Sequence, residues 1–188
     1  MNSKMDRRKK YTRMVLKNSL VKLLKEKPLS SITVKEICEI ADINRSTFYA
    51  HYTDQFDLLN KIEEELIEEM NSYLSQYNFS KEDESIHMTE KLLEYIVTKK
   101  DICQTLLNDN GDATFQIRVM TLAQRFLINN WKEENNVDDS VSEYLSTFII
   151  SGSIHVIRRW LDRGLDKSPK EMADIINNII NNGISILK

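Results

Sequence analysis

Arg45, Ser46, Thr47, Tyr49 and His51 fall within seven residues of one another, and Thr33 and Lys35 lie a short way upstream. Between Arg45 and Tyr52 no acidic residue interrupts them. A guanidinium, hydroxyls, a phenol and an imidazole form a set of hydrogen-bond donors suited to anions and to the acceptor-rich edges of bases. Arg45 is the candidate for a bidentate bond to guanine, a contact worth about 1–3 kcal/mol of discrimination. Catalytic chemistry is not expected. The chain has three histidines, His51, His87 and His155, with no Ser/His/Asp or H-E-x-x-H spacing, and neither Cys38 nor Cys103 has a histidine or basic neighbour to activate it. The cysteines show neither zinc nor disulfide-framework spacing, so no metal and no cofactor are expected.

Two short helices must position these donors. Thr33 and Glu36 make a T-x-x-E capping box, and Val34, Ile37, Cys38 and Ala41 follow at helical spacing. Asp42-Ile43-Asn44 breaks the pattern, and Asn44 can cap a second helix from Arg45 to about Tyr52. At about 100° per residue, Phe48 and Tyr52 share one side of it, while Ser46, Tyr49 and Ala50 lie well away from Phe48. Phe48 therefore faces a core, and Arg45, Ser46 and Tyr49 face outward. Two short helices joined by a tight turn read as helix-turn-helix, whose second helix enters the major groove of DNA.

The run from Thr33 to Leu59 resembles the DNA-binding domain of TetR/AcrR-type transcriptional regulators. The T-V-K-E-I start, the Ala41 turn, and R-S-T-F-Y-A-H-Y followed shortly by F-D-L-L carry the resemblance. It implies that Lys35 reaches a base edge, that Thr47, Tyr49 and His51 hold phosphates or stack on sugar and thymine methyls, and that Thr33 and Tyr52 touch the DNA backbone. Two positions depart from the family pattern. Asp42 stands where glycine is usual, a small strain because Asp tolerates left-handed backbone. Gln55 stands where lysine is frequent, which removes one charged phosphate contact and makes the salt slope shallower by about one unit.

Charge distribution agrees with a DNA-binding front. The net charge is −3, yet residues 1–55 hold 12 Lys/Arg against 6 Asp/Glu, and residues 56–188 hold 14 against 23. Phosphate attraction is thereby confined to one region. The first helix is expected over residues 7–27, with Met14, Leu16, Leu20, Leu23 and Leu24 as its apolar stripe. Arg7, Arg8, Lys9, Lys10, Arg13 and Lys17 crowd its N-terminal half against the macrodipole, and a phosphate partner would explain them. Lys27-Pro28-Leu29 ends it. No stretch approaches the ~20 apolar residues of a membrane span, and no apolar run follows the basic N-terminus as a signal peptide requires. The chain is expected to be cytoplasmic.

Few glycines and prolines favour long helices, and the expected fold is all-α: an N-terminal helix-turn-helix domain over 1–55 and a helical regulatory and dimerisation body over 56–188. A helix from Thr53 or Asp54 to about Tyr77 carries Leu58, Leu59, Ile62, Leu66 and Met70. Its Glu63–Glu65 and Glu68–Glu69 fan around the axis as a solvated face rather than converging on a metal. After a connection over 77–83, helices are expected at 84–99, 101–109, 113–134, 140–164 and 170–187. Asp109–Asp112 lacks the downstream glutamate of a calcium loop and reads as a turn. Ser140–Glu143 and Ser168–Glu171 are capping boxes, the second with Pro169 at the first helical position, and Gly164 fits a C-cap.

The last two helices carry more apolar surface than one partner covers. In the resembled family they pair with their mates as a four-helix interface, which implies a homodimer contacting through Phe148, Gly152, Ile157, Trp160, Ile176 and Ile180. Such a two-fold protein reads an inverted-repeat operator. The family's body usually encloses a small-molecule pocket, for which Met88, Phe115, Met120, Phe126, Trp131 and His155 are the large or adaptable side chains available; each also suits plain core. The expected function is a dimeric regulator, a repressor released by a small ligand. The alternative keeps the same head and makes the protein an activator, or a co-regulator whose body answers to a partner protein.

Overall fold

The computed structural model describes residues 2–76, 82–108, 113–134 and 139–185, with side chains described from residue 7 onward except in 82–86, 113, 126–134, 139–142 and 183–185. The described residues are helical and contain no strand. In chain order the helices are α1 (Asn2–Leu24), α2 (Val34–Ala41), α3 (Arg45–Tyr49), α4 (Gln55–Leu74), α5 (Glu82–Thr98), α6 (Lys100–Leu107), α7 (Ala113–Glu134), α8 (Asp139–Asp162) and α9 (Pro169–Ser185). A single 3₁₀ turn, Leu29–Ser31, joins α1 to the segment before α2. The all-α class and the order of helices agree with the sequence reading. The boundaries move by a few residues: α1 starts at Asn2 and stops at Leu24, its last carbonyls then accepting from Lys25, Glu26 and Lys27 in a closing turn. α8 opens at Asp139, so Ser140 lies inside that helix rather than ahead of it as its cap. The 77–81 part of the first connection and the Asp109–Asp112 turn lie outside the described residues.

The chain packs as two compact units. The first comprises Met1–Leu66 and Thr105–Phe115, the second Ile67–Gln104 and Gln116–Lys188. The first thus extends into α4, beyond residue 55, because Leu58, Leu59, Ile62 and Leu66 are all buried and Glu65 pairs with Lys17 of α1. Its core is Leu16, Leu20 and Leu24 of α1, Ile32, Ile37 of α2, Phe48 of α3, and Leu58. α1 packs on α2 and α2 on α3. In the second unit α5 packs along α9, with Leu93, Ile96, Ala173 and Ile176 buried and Thr89 Oγ1 donating to Asn177 Oδ1 at 3.0 Å.

The turn between α8 and α9 shows how local chemistry sets the body. Gly164 has φ 77° and Leu165 φ 68°. The first left-handed residue is the expected glycine C-cap; the second carries a side chain and costs about 1–2 kcal/mol. Leu165 N–H donates to the Trp160 carbonyl at 3.0 Å, and Trp160 Nε1 donates to the Lys167 carbonyl at 2.9 Å, which hold that turn. Ser168 then opens α9 as a full capping box: its N–H donates to Glu171 Oε2 at 2.8 Å, and Glu171 N–H donates back to Ser168 Oγ at 3.2 Å.

Candidate nucleic-acid interface

The α2–α3 segment is built from its caps inward. Thr33 N–H donates to Glu36 Oε2 at 2.9 Å and Glu36 N–H donates to Thr33 Oγ1 at 3.3 Å, which satisfies two of the orphan donors that open α2. Lys27, in the turn after α1, donates to Glu36 Oε1 at 2.5 Å. That bond, then those from Thr33, pull the Glu36 carboxyl down to about 2. The sign follows: the folded state holds the proton less tightly than the unfolded chain, so the stabilisation is complete above the ordinary value near 4.5 and disappears as pH falls towards 2. Glu36→Gln is expected to shallow the acid limb of unfolding between those values, read by helical circular dichroism. An unchanged acid limb would show that Glu36 is not coupled to folding.

α2 ends on Asp42, at φ 53° and ψ 44°, and Ile43 N–H reaches back to the Cys38 carbonyl at 3.0 Å. Here aspartate does what glycine does in the family pattern. Asn44 Oδ1 then accepts from Ser46 N–H at 2.9 Å and starts α3. α3 is short, Arg45–Tyr49, but its bonding continues: Ala50 N–H donates to the Ser46 carbonyl at 3.2 Å and Tyr52 N–H to the Phe48 carbonyl at 2.9 Å.

Phe48 fixes the rotation of this helix. It is fully buried, with Tyr49 edge-on to it at 5.6 Å and Tyr52 tilted against it at 5.7 Å. Arg45, Ser46 and Tyr49 consequently stand exposed, as do Thr33, the cap of α2, and Lys35 on α2, with Thr47 and His51 half-buried. Tyr52 differs from the rest. At 5% exposure it is a packing residue of the core, and burial pushes its hydroxyl up from the usual tyrosine value. The resemblance suggested a backbone contact there; the ring position gives it a structural role first.

Electrostatics add two residues to the set. Burial, and after it the cations Arg13 and Lys9, push the His51 imidazole down. Both cations sit on α1, so the charge of the basic front of α1 is felt just beyond the end of α3. The sequence alone could place those charges on α1 but not beside His51, because the association depends on how α1 crosses the other two helices.

The remaining candidate groups are placed as follows. Phe115 is buried core of the first unit; Met88 and Met120 belong to the second and are half-buried. His155 is exposed on α8, its Nδ1 2.8 Å from the Ser151 carbonyl oxygen. The side chains of Phe126 and Trp131 lie outside the described residues. Among the interface residues, Trp160 (1% exposed) and Ile176 are internal core, and Ile157 and Ile180 are half-buried. Phe148 is 74% exposed and Gly152 is exposed, with nothing within 4 Å of where a side chain would start. Tyr144 and Val156 extend that row along α8, and Ile175 and Ile179 form a second exposed apolar row on α9. The four-residue spacing Tyr144–Phe148–Gly152–Val156 was the sequence signal for this ridge. Among the described residues no cluster of three His, Cys, Asp or Glu side chains could hold a metal, and no helix is long and apolar enough to cross a membrane.

Comparison with known proteins matches this architecture. Residues 83–182 match the TetR-type family described as transcriptional regulator C-terminal region. An uncharacterized HTH-type transcriptional regulator of Bacillus subtilis (strain 168), YxbF, is 25% identical over 100 residues, which are 50% of this chain and 26% of that protein. The chain therefore spans about a quarter of that relative's length. A TetR transcriptional regulator from Streptococcus agalactiae superimposes with a TM-score of 0.70 at 22% identity, covering 94% of this chain and 97% of that one. The dihydroxyacetone kinase operon activator DhaS superimposes at 0.62 and 19% identity, over 93% and 97% of the two chains. With an all-helical fold that these regulators share and a body that matches their family, the chain belongs to the TetR/AcrR-type transcriptional regulators.

Proposed function

We propose that this regulator binds a specific DNA sequence as a homodimer, reading an inverted-repeat operator, and that a small molecule held in the body releases it, so that it acts as a repressor in the cytoplasm. The observation that carries this reading is the donor face of α3: Arg45, Ser46 and Tyr49 exposed together, held at a fixed rotation by buried Phe48, with Lys35 exposed on α2. Arg45 serves as the reader of base edges. Thr47 and His51, with Lys9 and Arg13 behind them, hold phosphates, which position the helix without specifying sequence. The exposed apolar rows of α8 and α9 support pairing with a second copy, since isolated apolar residues need no partner but a contiguous row does. A two-fold pair then spaces two α3 helices for successive major grooves. Met88 and Met120 are adaptable side chains suited to line an effector site. Release requires differential affinity: moving the population from 1:99 to 99:1 takes about 5.5 kcal/mol in favour of the conformer that does not bind DNA.

The likeness to an operon activator favours a second reading of the sign, in which the same DNA-bound dimer recruits rather than blocks transcription. One experiment addresses both. Selection from random duplex DNA with the purified full-length protein is expected to enrich an inverted repeat, and transcription from a promoter carrying it falls for a repressor and rises for an activator. A folded, dimeric protein that enriches no sequence would overturn the reading.

A further inference from the structure

α2 presents two opposite charges one turn apart on its outer side. Lys35 Nζ lies 3.7 Å from Glu39 Oε1, and both side chains are mostly exposed. The other acidic residues of this segment have structural duties: Glu36 closes the capping box and accepts from Lys27, and Asp42 forms the left-handed C-cap. Glu39 has no such duty. An exposed pair of this kind adds little to stability, so its consequence lies elsewhere.

A lysine alone on a DNA-facing surface is a mobile point charge that any phosphate attracts, and each such contact releases counterions whatever the sequence. Beside Glu39 the carboxylate offsets part of the attraction of Lys35 for a phosphate and itself repels one. A guanine edge is different. Its O6 and N7 are neutral acceptors, and an ammonium has three donors, so it can donate to the edge while still facing the carboxylate. We infer that Glu39 is a specificity-determining positioning residue, which withholds Lys35 from phosphate and leaves it to a guanine edge in the major groove. The effect is discrimination by weakening the wrong complex rather than strengthening the right one. This inference rests on the DNA-reading role proposed above.

The test uses the full-length protein and two duplexes, one random in sequence and one carrying the selected repeat, titrated over a range of salt. Four proteins are compared: wild type, Glu39→Gln, Lys35→Met and the double variant. Glu39→Gln is expected to bind the random duplex several-fold more tightly, with a salt slope steeper by about 0.9 for each Lys35 released to a phosphate. The ratio of specific to random affinity falls several-fold. In the Lys35→Met background the same change is expected to give only the smaller gain that comes from losing direct repulsion, with the ratio nearly unaltered, because the larger part of the effect runs through Lys35. An equal gain in both backgrounds would mean plain repulsion of the backbone and would overturn the inference, as would an unchanged ratio. Wild-type protein that binds neither duplex would remove the DNA-reading role itself, an outcome distinct from wild-type binding with no coupling between the two residues.

Discussion

Arg45→Ala is expected to relax preference at one base pair in each half of the proposed operator, by roughly ten-fold to a hundred-fold, while preferences elsewhere stay as they were. The expectation follows from where α3 places the side chain. Arg45 is the first residue of the helix, exposed, and directly after the Asn44 cap, so it stands at the end of α3 that a recognition helix points at the bases. If the guanidinium donates twice to guanine as proposed, removing it leaves that edge without its partner and the other bases no worse off. A phosphate contact would behave differently: its loss weakens all sequences alike and lowers the salt slope by about one unit. Measuring affinity for the operator and for its single-base variants, at two salt concentrations, separates the two. Uniform loss across sequences would assign Arg45 to the backbone.

Phe148→Asp is expected to convert the proposed dimer to monomers and to reduce operator binding steeply, because two half-sites could no longer be held by one assembly. The side chain is mostly exposed in the single chain, so the charge meets water in the monomer and is trapped only when a second α8 covers it. Trp160→Asp is the contrasting variant. Trp160 is internal and its Nε1 is bonded to the Lys167 carbonyl, so that change is expected to unfold the body by several kcal/mol rather than to split a folded dimer. Sedimentation equilibrium gives mass and circular dichroism gives folding. A Phe148→Asp protein of dimeric mass would move the interface away from α8.

The local features were legible in the sequence where short-range chemistry decides them. Thr33–Glu36 and Ser168–Glu171 form the capping boxes that their spacing demands, Asn44 starts α3, and Gly164 takes the left-handed position. The placement of Phe48 inside and Arg45 outside follows from helical period alone. Tertiary questions were harder. Trp160 and Phe148 are both large apolar residues on one helix, and nothing in their types says which faces the protomer's own core; that depends on how α8 rolls against its neighbours. Tyr52 shares the side of Phe48, so its burial followed from period even though the resemblance suggested a contact with DNA. Leu165 could not be foreseen as left-handed, since its conformation is imposed by the Trp160 and Lys167 carbonyl bonds around it. A cavity arises from several helices at once and has no one-dimensional pattern, so pocket residues are not legible in sequence.

The pairing of α5 with α9 has a consequence for biogenesis. Thr89 and Asn177 are 88 residues apart in sequence, whereas the contacts among α1, α2 and α3 close over short loops. At a synthesis rate of about 5–20 residues per second, α5 leaves the ribosome roughly 4–18 s before the helix that covers it. Through that interval Leu93 and Ile96 have no α9 to lie against, while α1–α3 already have their mutual contacts. Helices α1–α3 can thus make their mutual contacts early in the nascent chain, whereas the apolar face of α5 waits for α9.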